Sequence, residues 1–490
     1  MPTWRTAILK RSARVSLAVV VGVLITLGVS PPARAQLTEE GTPESLGISI
    51  CSKPSVPRTV NTVRDVLKGY RDLSFAFCRV KEDYEDGGLR GMLERQFGTA
   101  QDAFVELFTG PGLKPTVGLI VPESGVAFGA ALNNEWHVTE TPHTRFTTSV
   151  EARGSTNGFW AAGAMSHMQF DWYRTSDTGS YRMPQLTVAV RHFDLPEMPF
   201  FGLGNHSSVH DRSLFEMEQT EVPVLLDFPI AHGLTLSAQA NALIASSDPS
   251  PTFTNRFSQA TAPGIRASTI HLVPGVAATY RSPDVLYGFY GEGRVSYEAF
   301  QAVDGGSFSF DRVQARAALN YGIQDQPFSE GTFPYLRSLL GSSRFTIEAN
   351  LVISDARSRN AVPFYLQPTL GGGDINNENW LRSFTNYRFR APNTVAYGVS
   401  YERRLIDPFG FSVFAEWGKV GQDVDDLDFH GLKQSIGVGL TIRLGGKAVV
   451  EFTLAWGGGE GTHAYATGNS NNAIGFGTRA AGTVGLRGVF

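Results

Sequence analysis

The chain has 490 residues, with Lys+Arg 42 against Asp+Glu 46 and a net charge of −4. That near-balance leaves no basic footprint of the kind nucleic acid requires, so no nucleic-acid partner is expected. Gly 53 and Phe 33 are the unusual counts; both rise in membrane β-barrels, glycine at turns and crowded lumen positions and aromatics in the interfacial girdles.

The N-terminus opens with Arg5, Lys10, Arg11 and Arg14, followed by an apolar stretch from Val15 to Val29 and the small-x-small step Ala33-Arg34-Ala35. This order reads as a secretory signal peptide over 1–35, removed after Ala35. An uncleaved anchor is the competing reading, but the apolar stretch is short for a span. No second long apolar run follows, so the exported chain is expected either to stay in the periplasm or to cross a membrane as strands.

Residues 36–113 differ from the rest. Val63, Val66, Leu67 and Tyr70 recur at helical spacing, and Met92, Leu93, Phe97 and Phe104 do so less strictly. The segment is expected to be small, mostly helical and periplasmic. It holds both cysteines, Cys51 and Cys78. In an exported chain an even number points to one disulfide, with two free buried thiols as the competing state.

From Lys114 the period changes to two. In 409–418, Phe409, Phe411, Val413, Ala415 and Trp417 oppose Gly410, Ser412, Phe414, Glu416 and Gly418. In 435–444, Ile436, Val438, Leu440, Ile442 and Leu444 oppose Ser435, Gly437, Gly439, Thr441 and Arg443. Residues 344–351, 394–404 and 448–457 alternate in the same way. One face is apolar and aromatic while the other is small, polar or charged, which is the pattern of strands with lipid outside and a wet lumen inside. The fold expected is therefore all-β, a 16-stranded antiparallel transmembrane barrel over 114–490. The expected strands are 124–136, 144–154, 159–171, 185–194, 211–226, 232–245, 269–281, 286–299, 306–321, 342–353, 361–369, 393–404, 409–420, 433–444, 447–457 and 478–490. Of these, 361–369 competes with Thr116–Val121 for one place.

The stretch 355–392 is far longer than an ordinary connection, which points to a functional loop. An arginine that folds from such a loop into a lumen needs a counter-charge. Alternation puts Glu416 on the lumen face with Glu348, Glu402 and Glu451. A loop arginine paired with one of them would be charge-assisted and would hold the loop inside as a lock. A solvated arginine over a hydrated channel is the alternative.

The same loop carries a family resemblance. A proline-aromatic stretch, Pro363-Phe364-Tyr365, is followed by Leu370-Gly371-Gly372 and then by the tip Leu381-Arg382-Ser383-Phe384. Phe414-Ala415-Glu416-Trp417-Gly418 and Phe200-Phe201-Gly202-Leu203-Gly204-Asn205 flank this set in the chain. In this order the motifs resemble the BamA/TamA outer-membrane barrel superfamily, the bacterial surface antigen family, in its short type without recognisable periplasmic repeats. Ser383 stands where the family has Gly, and Glu416 where it has Asp; the resemblance implies that Arg382 at the tip pairs with Glu416 as the lock, with Phe384 packed beside it. The resemblance implies an outer-membrane protein that acts in insertion or translocation of a polypeptide client, or in envelope transport. The rival reading is a passive pore or a plugged structural barrel.

Barrel proteins commonly end on a strand read by the barrel-assembly machinery, and Thr483, Gly485 and Phe490 fit that signal. Other chemistry is thin. His206 and His210 sit on a loop-like stretch, and 423–428 lacks the Gly and Glu of a calcium loop. No Gly-x-Ser-x-Gly elbow occurs. No enzyme activity, metal or cofactor is expected; outer-membrane lipid is.

Overall fold

The computed structural model describes residues 112–488 except 138–143, 171–183, 232, 251–257, 260, 283–288, 323–342, 357–359, 377, 407–408, 445–447, 458–461, 471–481 and 484–485. The signal peptide, Cys51 and Cys78, nearly all of the expected helical segment, Gly485 and Phe490 lie outside the described residues.

The strands in chain order are β1 (Gly112–Gly118), β2 (Ala127–His137), β3 (Thr144–Ser155), β4 (Trp160–Phe170), β5 (Gln185–Phe200), β6 (Ser213–Ala231), β7 (Leu234–Pro249) and β8 (Ala267–Arg281). They continue as β9 (Phe289–Ala302), β10 (Phe310–Gly322), β11 (Ser343–Asp355), the two-residue pieces β12 (Thr369–Leu370) and β13 (Phe389–Arg390), and β14 (Asn393–Ile406). The last are β15 (Phe409–Gly421), β16 (Lys433–Leu444), β17 (Ala448–Trp456), β18 (Thr462–Ser470), β19 (Gly482–Thr483) and β20 (Leu486–Gly488). Each long strand pairs antiparallel with the next, β11 with β14 across the long loop, while β19 and β20 both pair with β18. β12 and β13 form a separate small sheet inside that loop. Among the described residues, β1 is laddered to β2, and no ladder joins it to the C-terminal pieces.

Burial is inverted relative to a soluble sheet. Phe128 and Leu132, Val224 and Phe228, Leu272 and Val276, Phe345 and Ile347, and Phe452, Leu454 and Trp456 are exposed. On the opposite parity Glu151, Ser237, Ser296, Asn350, Glu416, Ser435 and Thr453 are buried. A sheet that presents its large apolar side chains outward and folds its polar ones inward is built for hydrocarbon outside. Charges inside find partners: Arg191 pairs with Glu221 at 3.2 Å, Arg344 with Glu402 at 2.5 Å, and Arg153 with Glu151.

The antiparallel order sends the connections after β1, β3, β5, β7, β9, β11, β15 and β17 to one rim. There the sheet gains an apolar core: Ile120 and Val121 after β1, Leu195, Met198, Phe200, Phe215 and Met217 of β5–β6, and Ala262 and Ile265 after β7 surround Phe364, Tyr365 and Tyr387 of the long loop. β5 to β8 run 16, 19, 16 and 15 residues, longer than the ~9–11 that a tilted crossing strand needs. The surplus builds this core.

Three expectations are corrected. Residues 361–369 are not a wall strand: Phe364–Leu366 is a 3-10 turn, and the buried Val362, Phe364 and Tyr365 belong to the loop's packing. Their apolar spacing comes from a core inside the mouth and not from lipid. The competing stretch does hold a strand, β1, which starts two residues before the expected boundary at 114. β18 was not foreseen; of the expected terminal strand 478–490, the described residues form β19 and β20, both paired with β18.

Candidate functional site

The long loop enters from β11 and returns to β14 across the inner space. Its first part binds the β7–β10 side. Phe364 N donates to Pro263 O at 2.8 Å, the Tyr365 and Thr269 hydroxyls lie 2.9 Å apart, and Arg312 Nη2 donates to Leu366 O at 2.6 Å. A tight return then brings Gly371 and Gly372 against Trp380 and Leu381, with Gly371 N donating to Trp380 O at 3.1 Å. Both glycines have positive φ, +106° and +57°. A Cβ on Gly371 would sit 2.5 Å from Arg388 Cβ and 2.8 Å from Thr385 O, and one on Gly372 would collide with Asn386. Here the backbone conformation and the lack of space both demand glycine.

The inner turn 374–378 carries two carboxylates. Glu378 accepts from Arg316 Nη1 of β10 at 2.9 Å and from Asn350 Nδ2 of β11 at 3.1 Å. Asp374 accepts from the N–H groups of Asn376 at 2.8 Å and Glu378 at 2.7 Å. Burial, and then the Glu378 charge, push the Asp374 carboxyl up to about 7.

The tip comes next. Arg382 Nε donates to Glu416 Oε1 at 2.7 Å, and its backbone N–H donates to Oε2 at 3.0 Å. Both carboxylate oxygens of a buried glutamate are thus taken by one residue. The guanidinium lies 3.4 Å from the centre of the Phe414 ring, two residues along β15 from Glu416. A cation over an aromatic face gains further attraction. Leu381 has φ +55° and is fully buried, a strained conformation for a non-glycine residue held by surrounding structure. Ser383, at the position the resemblance gives to Gly, is not among the residues with positive φ. Its N–H donates to Ser435 Oγ at 2.9 Å.

The remaining expected residues divide. Phe384 is buried beside Phe389, ring centres 5.1 Å apart, in a cluster with Leu370, Trp380 and Leu381; the ring over the arginine is Phe414. Glu348 lies 4.0 Å from Arg316, and Glu402 pairs with Arg344 near the other rim, away from the tip. Glu451 is on β17, with its side chain outside the described residues. Thr483 lies in β19.

Several contributors were not singled out from sequence. Arg388 donates through Nη1 to Ser207 Oγ at 2.8 Å and through Nη2 to Ser207 O at 2.5 Å, and its guanidinium lies 5.2 Å from the Phe201 ring. Arg390 donates to Phe364 O at 2.6 Å, its carbonyl accepts from Gly204 N at 2.7 Å, and burial lowers its pKa to about 10. The Phe200–Asn205 motif was visible in the sequence, but nothing in its spacing links it to Arg388 and Arg390, so far along the chain. Asn386 Nδ2 donates to Glu123 Oε1 at 2.9 Å, and the Tyr387 hydroxyl donates to Pro122 O at 3.4 Å.

No family profile and no curated protein matches the chain. Among solved structures it is similar to BamA from Haemophilus ducreyi lacking POTRA domains 1-3, at 9% identity and a TM-score of 0.47, over 77% of this chain and 78% of that one. It is also similar to CdiB from Acinetobacter baumannii, at 10% identity and TM-score 0.41, over 70% of this chain, and to CdiB from Escherichia coli, at 12% identity and TM-score 0.42, over 72%. The chain spans 55% and 62% of those two CdiB chains. These are likenesses at low identity.

Proposed function

We propose that the chain is a closed, non-enzymatic outer-membrane β-barrel of the BamA/TamA type. In this reading the loop 356–392 is a plug held in the lumen, and polypeptide insertion or translocation, or another envelope transport step, proceeds when the plug shifts. The observation that carries this reading is the Arg382–Glu416 pair, closed by two hydrogen bonds and a ring face at the end of a long loop. An open passive pore fits less well, because the mouth is filled by an apolar core around Phe364, Tyr365 and Tyr387. A hydrated channel would not bury such residues there.

Single-channel conductance tests the reading. The purified protein in a planar bilayer should show small, flickering conductance, and Arg382→Ala should raise it or make it noisier. A large steady conductance from the wild-type protein, unchanged in the variant, would return the passive pore to first place.

A further inference from the structure

The tip of the plug reaches two regions that lie near opposite ends of the strand order. At Arg382 and Ser383 it is fastened to β15 and β16, through Glu416 and Ser435. At Asn386 and Tyr387 it is fastened to the β1–β2 turn, through Glu123 and Pro122. We infer that residues 382–387 form a strap across the seam between the two ends of the sheet, and that the seam cannot open widely until one anchor lets go. The inference rests on the plug reading above.

Chain geometry gives the strap its limit. From Arg382 to Tyr387 the chain can extend to at most roughly 18 Å. While both anchors hold, the rim of β15–β16 and the β1–β2 turn cannot separate by more than that span plus the reach of the anchoring side chains. The far anchor is firmly built. Asn386 Oδ1 accepts from Gly373 N at 2.9 Å while its Nδ2 reaches Glu123, so one amide joins the plug's inner return to the turn. Gly373 packs so closely on Pro122 that an added Cβ would lie 2.7 Å from its ring. Tyr387 shares the mouth core with Ile120 and Val121.

The β1–β2 turn transmits the hold to β1. Ser124 Oγ accepts from Ile120 N at 3.1 Å, and Ser124 N donates to Val121 O at 3.1 Å, which makes the turn rigid. Among the described residues, the ladder of β1 to β2 has seven pairs, against eleven for β2 with β3, and β1 contains Pro115, a residue that sheets tolerate at edges. Such a strand depends on what grips its end. Strain lies at both partners: Glu123 has φ +76° and Tyr387 φ +59°. Left-handed non-glycine residues persist where surrounding contacts over-determine them, and their strain favours release once those contacts break.

Hydrogen exchange read by mass spectrometry on the full chain in nanodiscs tests the strap. Asn386→Ala should make the β1 amides, 112–118, exchange roughly tenfold faster or more, the factor that goes with losing a hydrogen bond to a charged group. Amides of β7 and β8 should keep their rates. Unchanged β1 exchange in Asn386→Ala would overturn the strap. The two ideas fail separately. If Arg382→Ala raises conductance while Asn386→Ala leaves β1 at the wild-type rate, the plug stands and the strap does not. If Arg382→Ala leaves conductance unchanged, the plug reading itself goes.

Discussion

At the residue scale, the tip pair works because desolvation is matched by contacts. A glutamate buried among β15 and β16 side chains would be costly if left alone, and Arg382 supplies a charge and two donors. Breaking such a pair from one side costs about 3–5 kcal/mol, since the partner stays buried and uncompensated. Arg382→Ala and Glu416→Gln should each lower the thermal midpoint of the folded barrel, and the double variant should be little worse than either single. Strictly additive losses in that cycle would mean the two do not act as a unit. Asp374 gives a second residue-level expectation. Its carboxyl, held up to about 7 by burial and the Glu378 charge with Tyr387 and Arg390 nearby, keeps a proton in the docked loop that it loses at an ordinary 3.8 in the free one. The docked state therefore binds more protons between those values. Its advantage is full at low pH and fades as pH rises toward about 7. Exchange of amides 370–381, corrected for intrinsic rates, should be slower at pH 5.5 than at pH 8, and Asp374→Asn should flatten the difference. A wild-type profile that is already flat would remove Asp374 from plug docking.

At the element scale, the plug's shape depends on the return at Gly371-Gly372. Gly371→Ala meets Arg388 and Thr385 in a backbone conformation that L-residues avoid. It should cost on the order of 1–3 kcal/mol and loosen the plug with the Arg382–Glu416 residues intact. Limited proteolysis of the loop in detergent would show this as faster cleavage, and a wild-type rate would place the constraint elsewhere. The same elements show what the sequence could and could not reveal. β14 to β17 were legible because Tyr397, Trp417, Ile436 and Phe452 face outward every second residue, with Gly398, Glu416 and Ser435 between. β18 was not: its residues opposite Phe452 and Leu454 are Ala466 and Ala464, so no large apolar side chain marks the period. β1 was obscured by Pro115, and 361–369 imitated a strand because a core inside the mouth selects apolar residues as lipid does. At the tip, loop length and strand parity pointed to an arginine–carboxylate pair, and the family-like Leu381–Phe384 and Phe414–Gly418 motifs picked out Arg382 and Glu416 for it. Phe414 over the guanidinium, and the partners of Asn386 and Arg388, depend on how distant rim loops fold together, which no local period records.

At the scale of the whole molecule, the rim that holds the plug should face the outside of the cell. Every connection packed around the plug belongs to this rim. The opposite rim adjoins the N-terminus of β1, and so the segment expected to stay in the periplasm. Phe429, on the connection between β15 and β16, is 80% exposed, whereas Thr385 of the plug is 9% exposed. Orientation and plugging can be read together. With Cys51 and Cys78 replaced by Ser, Phe429→Cys should react with a membrane-impermeant maleimide on intact cells. Thr385→Cys should stay unlabelled there, because the mouth core of Phe364, Tyr365 and Tyr387 lies around the same loop. Adding Arg382→Ala to Thr385→Cys should open the site to the reagent from outside, since the loosened tip no longer holds residues 382–387 against the wall. Labelling of Phe429→Cys only after the cells are permeabilised would reverse the orientation. Immediate labelling of Thr385→Cys with Arg382 intact would show that the loop does not seal the mouth.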